Sequence, residues 1–155
     1  MPIAFFTSLE LDLIYADWSG SISLSVFRQS FQSYLADRHY KAGRPELINT
    51  ANVKEFDVDF KKVWAALRLV NAQSPLQKTK TRTVVIAPQD VIFGTARMFQ
   101  TLAENADGIK VEVCRTEAEA LAALNLPYTS VEAMLDAETF LPPDPVSDPS
   151  ELGPT

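Results

Sequence analysis

The chain has 155 residues, of which 46% are hydrophobic and 22% charged, a length and balance typical of one globular domain with its own core. One cysteine, Cys114, excludes an internal disulfide, and with the single histidine, His39, it leaves too few soft ligands for zinc. The net charge of -6 arises mainly from residues 136–155, which hold five acids and no base, so the nearly neutral remainder offers no basic surface to nucleic acid.

Two strands joined by a tight turn are predicted at the N-terminus. Pro2–Ser8 and Leu11–Trp18 are strand-like, and Leu9-Glu10 between them is short enough for an antiparallel hairpin. Ser19-Gly20-Ser21 is expected to end the second strand. The first helix is predicted from an apolar stripe at helical spacing, which consists of Leu24, Phe27, Phe31, Tyr34 and Leu35.

The middle of the chain alternates between strands and helices. A strand is predicted around Pro45–Asn49, and Val84–Ile86 is an unbroken β-branched run typical of a strand covered on both faces. The helix between them carries its apolar face on Phe60, Val63, Trp64, Leu67 and Val70. The remaining predicted elements are a helix over residues 89–105, a strand over 109–115 and two short helices, which begin at the capping boxes Thr116-Glu117-Ala118-Glu119 and Thr129-Ser130-Val131-Glu132.

The predicted order, ββαβαβαα, indicates an α/β domain. Strand–helix alternation after a hairpin gives a mixed, largely parallel sheet flanked by helices, with right-handed crossovers. This domain is predicted over residues 1–135. Residues 136–155 are acidic and hold half of the ten prolines, which predicts a disordered, proline-rich tail.

Two stretches, VVIAPQDVIFGTARMFQTLAE and VEVCRTEAEALAAL, resemble the SpoIIAA-like bacterial family of STAS/SEC14 type. That family has a similar strand ending in Ala-Pro, a helix with the pattern Phe-Gly-x-Ala-Arg-Met-Phe, and a closing strand followed by an acidic, alanine-rich helix. The helical pattern falls here on Phe93, Gly94, Ala96, Arg97, Met98 and Phe99. The resemblance covers roughly residues 3–126 and implies a STAS-like fold.

Two aspartates stand where the resemblance implies a regulatory site. In anti-sigma-factor antagonists with this fold, a serine or threonine at the start of the helix after the third strand accepts phosphate and so switches binding to a partner kinase. Here that place reads Asp57-Val58-Asp59-Phe60, without a hydroxyl, and Thr50 lies too far upstream to sit on the helix. An N-cap at Asp57 with Asp59 in the first turn is the favoured interpretation. A constitutive phosphate mimic is the alternative.

The groups that could perform catalysis are few and scattered. Asp57 and Asp59 are expected on an open surface, without the cleft that tunes a catalytic carboxylate pair. His39 lies in a polar loop, and Cys114 has neither a CxxC partner nor a histidine nearby in sequence, which predicts a buried, inert thiol. We therefore expect a protein that is not an enzyme, with no catalytic residues, no cofactor and no metal site.

One aromatic on the third helix suggests an interaction surface. The buried stripe of this helix is predicted to be Ile92, Ala96, Phe99 and Leu102. Phe93 falls on the polar face beside Arg97. Three interpretations are open: the ring is exposed by chance, it is covered by a neighbouring loop, or it is part of an interface with a partner or a second copy. Because helices that follow parallel strands begin at the carboxyl edge of the sheet, we expect Phe93, Gly94 and Arg97 to lie close to Asp57 and Asp59.

These features favour a non-enzymatic, regulatory STAS-like interaction module without the phosphorylatable hydroxyl. Its candidate interaction surface is Asp57, Asp59, Phe93, Gly94 and Arg97, and its expected partner is another protein or a second copy in a homodimer. The alternative is a protein that binds a small apolar ligand or a lipid, and an uncharacterised enzyme comes third. A deep apolar cavity would favour the alternative, whereas a solid core with a flat apolar patch would favour the module. We expect a cytoplasmic location and no membrane insertion, because the N-terminus lacks signal-peptide features and no apolar run approaches about 18 residues.

Overall fold

The computed structural model, which describes residues 2–71, 81–104 and 109–144, contains a five-stranded sheet in the order β1-β2-β3-β4-β5. In chain order the elements are β1 (Ile3–Ser8), β2 (Leu13–Ser23), α1 (Leu24–Ala36), β3 (Glu46–Asp57), α2 (Phe60–Asn71), β4 (Thr81–Ile86), α3 (Asp90–Ala103), β5 (Ile109–Cys114), α4 (Glu117–Ala123) and α5 (Val131–Ala137). β1 is antiparallel to β2, and the other neighbours are parallel, so the predicted mixed sheet is confirmed. The observed order has one helix–strand pair more than the predicted ββαβαβαα, although each element corresponds to a predicted segment.

The helices divide between the two faces of the sheet. Because β2 to β5 lie side by side in chain order, right-handed crossovers put α1, α2 and α3 on one face. Their packing reflects this arrangement, since α2 contacts both α1 and α3 while α3 packs on β5. Helices α4 and α5 cover the other face over an apolar cluster that includes Leu47, Val84, Leu121 and Met134. The sheet is therefore enclosed between two layers of helices.

β2 continues through the residues that were expected to end it. It runs to Ser23 rather than Trp18, and its pairing with β3 shifts register between Asp17 and Ser19 and again between Gly20 and Ser21. Such bulges absorb extra residues without ending a strand. Gly20 adopts a φ of 67° at the second shift, which glycine tolerates at little steric cost.

β3 is also longer than predicted, because it ends at Asp57 instead of Asn49. It pairs with β4 only as far as Asn49 but with β2 as far as Asp57, so its second half lies at an edge. Val53 and Phe56 turn toward the core there, while most of the neighbouring residues are exposed. A half-exposed strand of this kind carries little apolar signal in its sequence.

The cap of α4 agrees with the prediction, whereas α5 is capped one residue later than the predicted box that begins at Thr129, and one apolar position of α2 is not buried. Thr116 and Ser130 cap α4 and α5, since their hydroxyl oxygens accept hydrogen bonds from the third residue beyond at 3.2 and 3.1 Å. On α2, Val63 and Leu67 are buried as expected, whereas Trp64 is 48% exposed. Trp64 lies about 100° around the helix from Val63, at the margin of the face that packs on the sheet. The side chains of the other two predicted positions, residues 60 and 70, lie outside the described part.

The predicted tail begins too early, because the chain remains packed beyond residue 135. α5 extends to Ala137, and the backbone of Leu141 exchanges two hydrogen bonds with Thr7 of β1, at 2.9 and 2.8 Å. The Phe140 ring meets Tyr15 edge to face, with centroids 6.3 Å apart. The domain therefore reaches at least residue 144, and residues 145–155 of the predicted tail lie outside the described residues. Within the ranges described, no helix combines the length and apolar character needed to cross a membrane.

Candidate functional site

Asp59, rather than Asp57, caps the helix that follows β3. The Asp59 side chain accepts a hydrogen bond from the Lys62 backbone N–H at 3.0 Å, and its carbonyl accepts from Val63 N–H at 2.9 Å. Asp57 is instead the last residue of the strand, and its carboxylate accepts from Lys62 Nζ at 2.9 Å. That hydrogen bond also raises the pKa of Lys62. The predicted roles of the two aspartates are thus corrected, because β3 extends farther than its sequence indicated.

Substitutions should separate these roles. Asp59→Ala is expected to lower the free energy of unfolding by about 0.5–2 kcal/mol, the range for loss of an N-cap. Asp57→Ala serves as the matched control and should change little, because it removes only an exposed ion pair. Urea denaturation of both variants measures the difference. A larger loss for Asp57→Ala than for Asp59→Ala would contradict this assignment.

Phe93 is half-buried, and an arginine from the connection between β5 and α4 covers it. The Arg115 guanidinium carbon lies 3.9 Å from the centroid of the Phe93 ring, within the range of a cation–π contact. Arg115 is held there by Asp90 at 2.7 Å and by the carbonyl of Pro88 at 3.2 Å. The ring also packs against the core cluster beneath α3. Among the three interpretations of Phe93, the contact with Arg115 matches the second, in which a neighbouring segment covers the ring.

The contacts divide the predicted interaction surface into two groups. Asp57 and Asp59 interact with Lys62 at the start of α2, whereas Phe93 is held on the β5 side by Arg115. Gly94 and Arg97 are exposed on α3, and a Cβ at Gly94 would meet nothing within 4 Å. The start of α3 is tied to β3 by Gln89, whose Nε2 donates to the carbonyls of residues 51 and 53 at 3.4 and 2.9 Å.

The layer between α1, α2, α3 and the sheet contains a pocket that the sequence did not reveal. This helix–sheet pocket has a volume of about 160 Å3. Its walls are almost entirely apolar, and they include Phe27, Phe31, Ile48, Val63, Val85 and Phe99. Lys41 and Lys62 also line it, with side chains 63% and 35% exposed, so the pocket reaches the surface there.

One acidic residue, Glu46, lines this largely apolar wall. Glu46, the first residue of β3, lies in register with Ile14 on one side and Thr83 on the other. The Thr83 hydroxyl donates to Glu46 Oε1 at 3.2 Å. Although the residue as a whole keeps some exposed surface, its carboxyl group is enclosed, and this burial raises its pKa to about 7. Glu46 also lines a second cavity of about 60 Å3 beside Phe5 and Ile14.

Sequence reasoning missed Glu46 because no motif surrounds it. The available signal was the alternation along β3, in which Glu46, Ile48 and Thr50 share one face of the sheet and all line the pocket. A carboxylate on the same strand face as a core isoleucine is unusual, since buried acids are rare unless paired. That pattern points to a buried acid once the strand is known to be central.

Polar groups also lie on the opposite face of the sheet. Asn49 Nδ2 donates to the Tyr15 hydroxyl at 3.2 Å. Asp17 Oδ1 is buried without a hydrogen-bond partner in the described structure, and burial raises the pKa of that carboxyl. Cys114 packs in the cluster beneath α4 and α5, where burial raises the pKa of its thiol and so disfavours the nucleophilic thiolate. Among residues 2–71, 81–104 and 109–144, no group of three or more His, Cys, Asp or Glu side chains could hold a metal ion.

Comparison with known proteins finds a similarity among solved structures. No family model and no curated protein matches the chain. Among solved structures, it is similar to the crystal structure of an uncharacterised protein from the DUF3478 family with a SpoIIAA-like fold, from Shewanella loihica PV-4. The two share 17% sequence identity and a TM-score of 0.47, over 79% of this chain and 91% of that chain. The hairpin, the parallel strands in chain order and the crossover helices of this chain give the mixed, largely parallel α/β sheet flanked by helices that the SpoIIAA-like resemblance implies.

Proposed function

We propose that the protein binds a small apolar molecule in the helix–sheet pocket. The observation that carries this proposal is the volume of about 160 Å3 lined by predominantly apolar side chains. Cavities of about 150 Å3 with leucine, isoleucine and phenylalanine walls bind benzene-sized molecules. The pocket is too small for a whole phospholipid, so its ligand is a compact ring or a short aliphatic chain.

Small residues in the pocket wall support the proposal. Ala66 and Ala96 line the pocket among larger apolar side chains such as Phe31, Ile92 and Phe99. Each alanine leaves open a part of the space that a larger apolar side chain at the same position would occupy. Small residues at these positions are what a binding pocket requires.

The proposal is tested by filling the pocket. Ethylbenzene and benzylamine, each a single ring with a two-atom substituent, serve as probes, and at least one should raise the melting temperature of the wild-type chain. Ala96→Leu should abolish that shift, because the added carbons occupy the pocket. Ala122→Leu is the matched control, since Ala122 is exposed on α4. Ala66→Val replaces Ala96→Leu if the latter does not fold. A wild-type chain that responds to neither probe would contradict the proposal.

An interaction module is the second candidate function. It is supported by an exposed apolar position at the start of α3, where Val91 is 72% exposed and Gly94 leaves its surroundings open. Together with Phe93 beneath Arg115, these residues would form the centre of a contact with a protein partner or a second copy of the chain. If the wild-type chain binds neither probe, the module becomes the better account of the fold.

A further inference from the structure

We propose that the helix–sheet pocket selects compounds that carry one basic nitrogen on a small apolar body, and that Glu46 is the residue that binds the nitrogen. This inference rests on the proposed function, because it names the chemical class of ligand for the same pocket. It depends on the position of Glu46, on the partners of the neighbouring cations, and on the chemistry of an enclosed carboxylate.

Glu46 is positioned to meet a ligand. Glu46 lines the pocket together with Ile48 and Thr50 from the same strand. One carboxyl oxygen accepts from the Thr83 hydroxyl at 3.2 Å, which fixes the orientation of the group across two neighbouring strands. The Thr50 hydroxyl is already engaged, because it donates to the carbonyl of Ile86 at 2.7 Å. A polar ligand atom in this part of the pocket would therefore meet the carboxylate first.

The cations near the pocket are engaged by other acids. Lys62 Nζ lies 2.9 Å from Asp57, and Lys41 Nζ lies 3.9 Å from Asp12. Arg44 is buried nearby, but its Nε lies 2.8 Å from Asp12. Among the described residues, the Glu46 carboxyl accepts a hydrogen bond from the neutral hydroxyl of Thr83. The basic side chains near the pocket thus form their ion pairs with Asp12 and Asp57 rather than with Glu46.

This arrangement favours a protonated amine over other ligands of the same size. An enclosed carboxylate carries an unfavourable desolvation energy that a cation in hydrogen-bond contact offsets. A ligand carboxylate would add a like charge in the same enclosed space, and a pure hydrocarbon would leave the acid without a partner. The phenol of Tyr34 also lines the pocket, and burial raises its pKa, so it adds no competing negative charge at neutral pH.

Three probes of nearly equal shape test the inference on the full chain at about pH 8, where Glu46 is ionised. Dissociation constants for benzylamine, ethylbenzene and benzoate are measured by isothermal titration calorimetry. We expect benzylamine to bind at least tenfold more tightly than ethylbenzene, and benzoate to bind more weakly than either. Glu46→Gln should remove most of the preference for benzylamine while retaining ethylbenzene. Glu132→Gln, on the exposed face of α5, is the matched control and should leave the preference unchanged.

The outcomes separate this inference from the proposed function. If ethylbenzene binds as tightly as benzylamine, or if Glu46→Gln keeps the full preference, the assignment of Glu46 is wrong although the pocket still binds apolar molecules. If no probe binds and Ala96→Leu changes nothing, the proposed function itself fails. A preference that survives Ala96→Leu would show that the amine binds outside the pocket and would also overturn the inference.

Discussion

Removal of residues 139–155 is expected to lower the free energy of unfolding by about 2–4 kcal/mol. The deletion removes Phe140, whose ring packs edge to face on Tyr15 beneath α5. It also removes the two backbone hydrogen bonds that Leu141 makes with Thr7. The deletion also removes the two hydrogen bonds of Asp144. Its side chain accepts one from the Arg38 backbone N–H at 2.8 Å, and its own backbone N–H donates the other to an Asp37 side-chain oxygen at 2.7 Å.

The magnitude follows from the contacts that disappear. A partly buried phenylalanine contributes roughly 1–2 kcal/mol, and each backbone hydrogen bond contributes on the order of 1 kcal/mol net. The interactions of Asp144 add less, because its ion pair with Arg38 is largely exposed. The entropy gained by the freed end offsets part of the sum.

Urea denaturation of two truncated chains measures this effect. A chain ending at Glu138 should show the loss, whereas a chain ending at Asp144 keeps every contact named here and serves as the control. Phe140→Ala in the full chain should account for about half of the loss. Equal stability of the two truncated chains would mean that residues 139–144 contribute nothing to folding.

The second large effect concerns the enclosed acid of the pocket. Glu46→Gln is expected to raise the free energy of unfolding by about 2–3 kcal/mol at pH 8 and by far less at pH 5. Glutamine has the same shape and can still accept the hydrogen bond from Thr83, but it needs no charge in an apolar wall. The expected gain is therefore electrostatic and depends on pH.

The sign follows from the raised pKa of Glu46. Burial moves this pKa from an ordinary value of 4.5 to about 7 in the folded protein. Between these values the folded protein retains a proton that the unfolded chain has released, so stability falls as pH rises through the window. The penalty is complete above about pH 7 and absent below about pH 4.5, where the carboxyl is neutral in both states.

Urea denaturation of wild type and Glu46→Gln from pH 5 to pH 8 checks this expectation. Burial also raises the pKa of Asp17, but both chains contain Asp17, so the difference between their curves isolates Glu46. Glu132→Gln should run parallel to wild type. A Glu46→Gln curve parallel to wild type would contradict the burial of the carboxyl.

The succession of elements could be predicted because the apolar patterns are local. Val84–Ile86 reads as a buried strand and Thr116 as a helix cap without knowledge of the rest of the chain. The second half of β3 could not be predicted in the same way, because it pairs with β2 alone and exposes most of its side chains. The error at Asp57 followed directly from that missing half-strand.

The candidate site was less predictable because its contacts join distant parts of the chain. Phe93 could be singled out on its helix, but its cover comes from Arg115, 22 positions later and beyond another strand. The packing of Phe140 on Tyr15 depends on how α5 returns over the sheet, which no local pattern encodes. The pocket is a property of three helices packed together, and the acid in its wall becomes visible only when the faces of β3 are assigned.

The hydrogen bonds from Gln89 to β3 have a consequence for strand addition at the edge of the sheet. Where β4 ends, the backbone of residues 51–53 would present free carbonyl acceptors, the kind of edge on which a foreign strand can add and start aggregation. The Gln89 amide occupies two of these acceptors, at residues 51 and 53, in place of a strand. One side chain at the start of α3 thereby closes this stretch of edge to an incoming strand while leaving the protein's own sheet unextended.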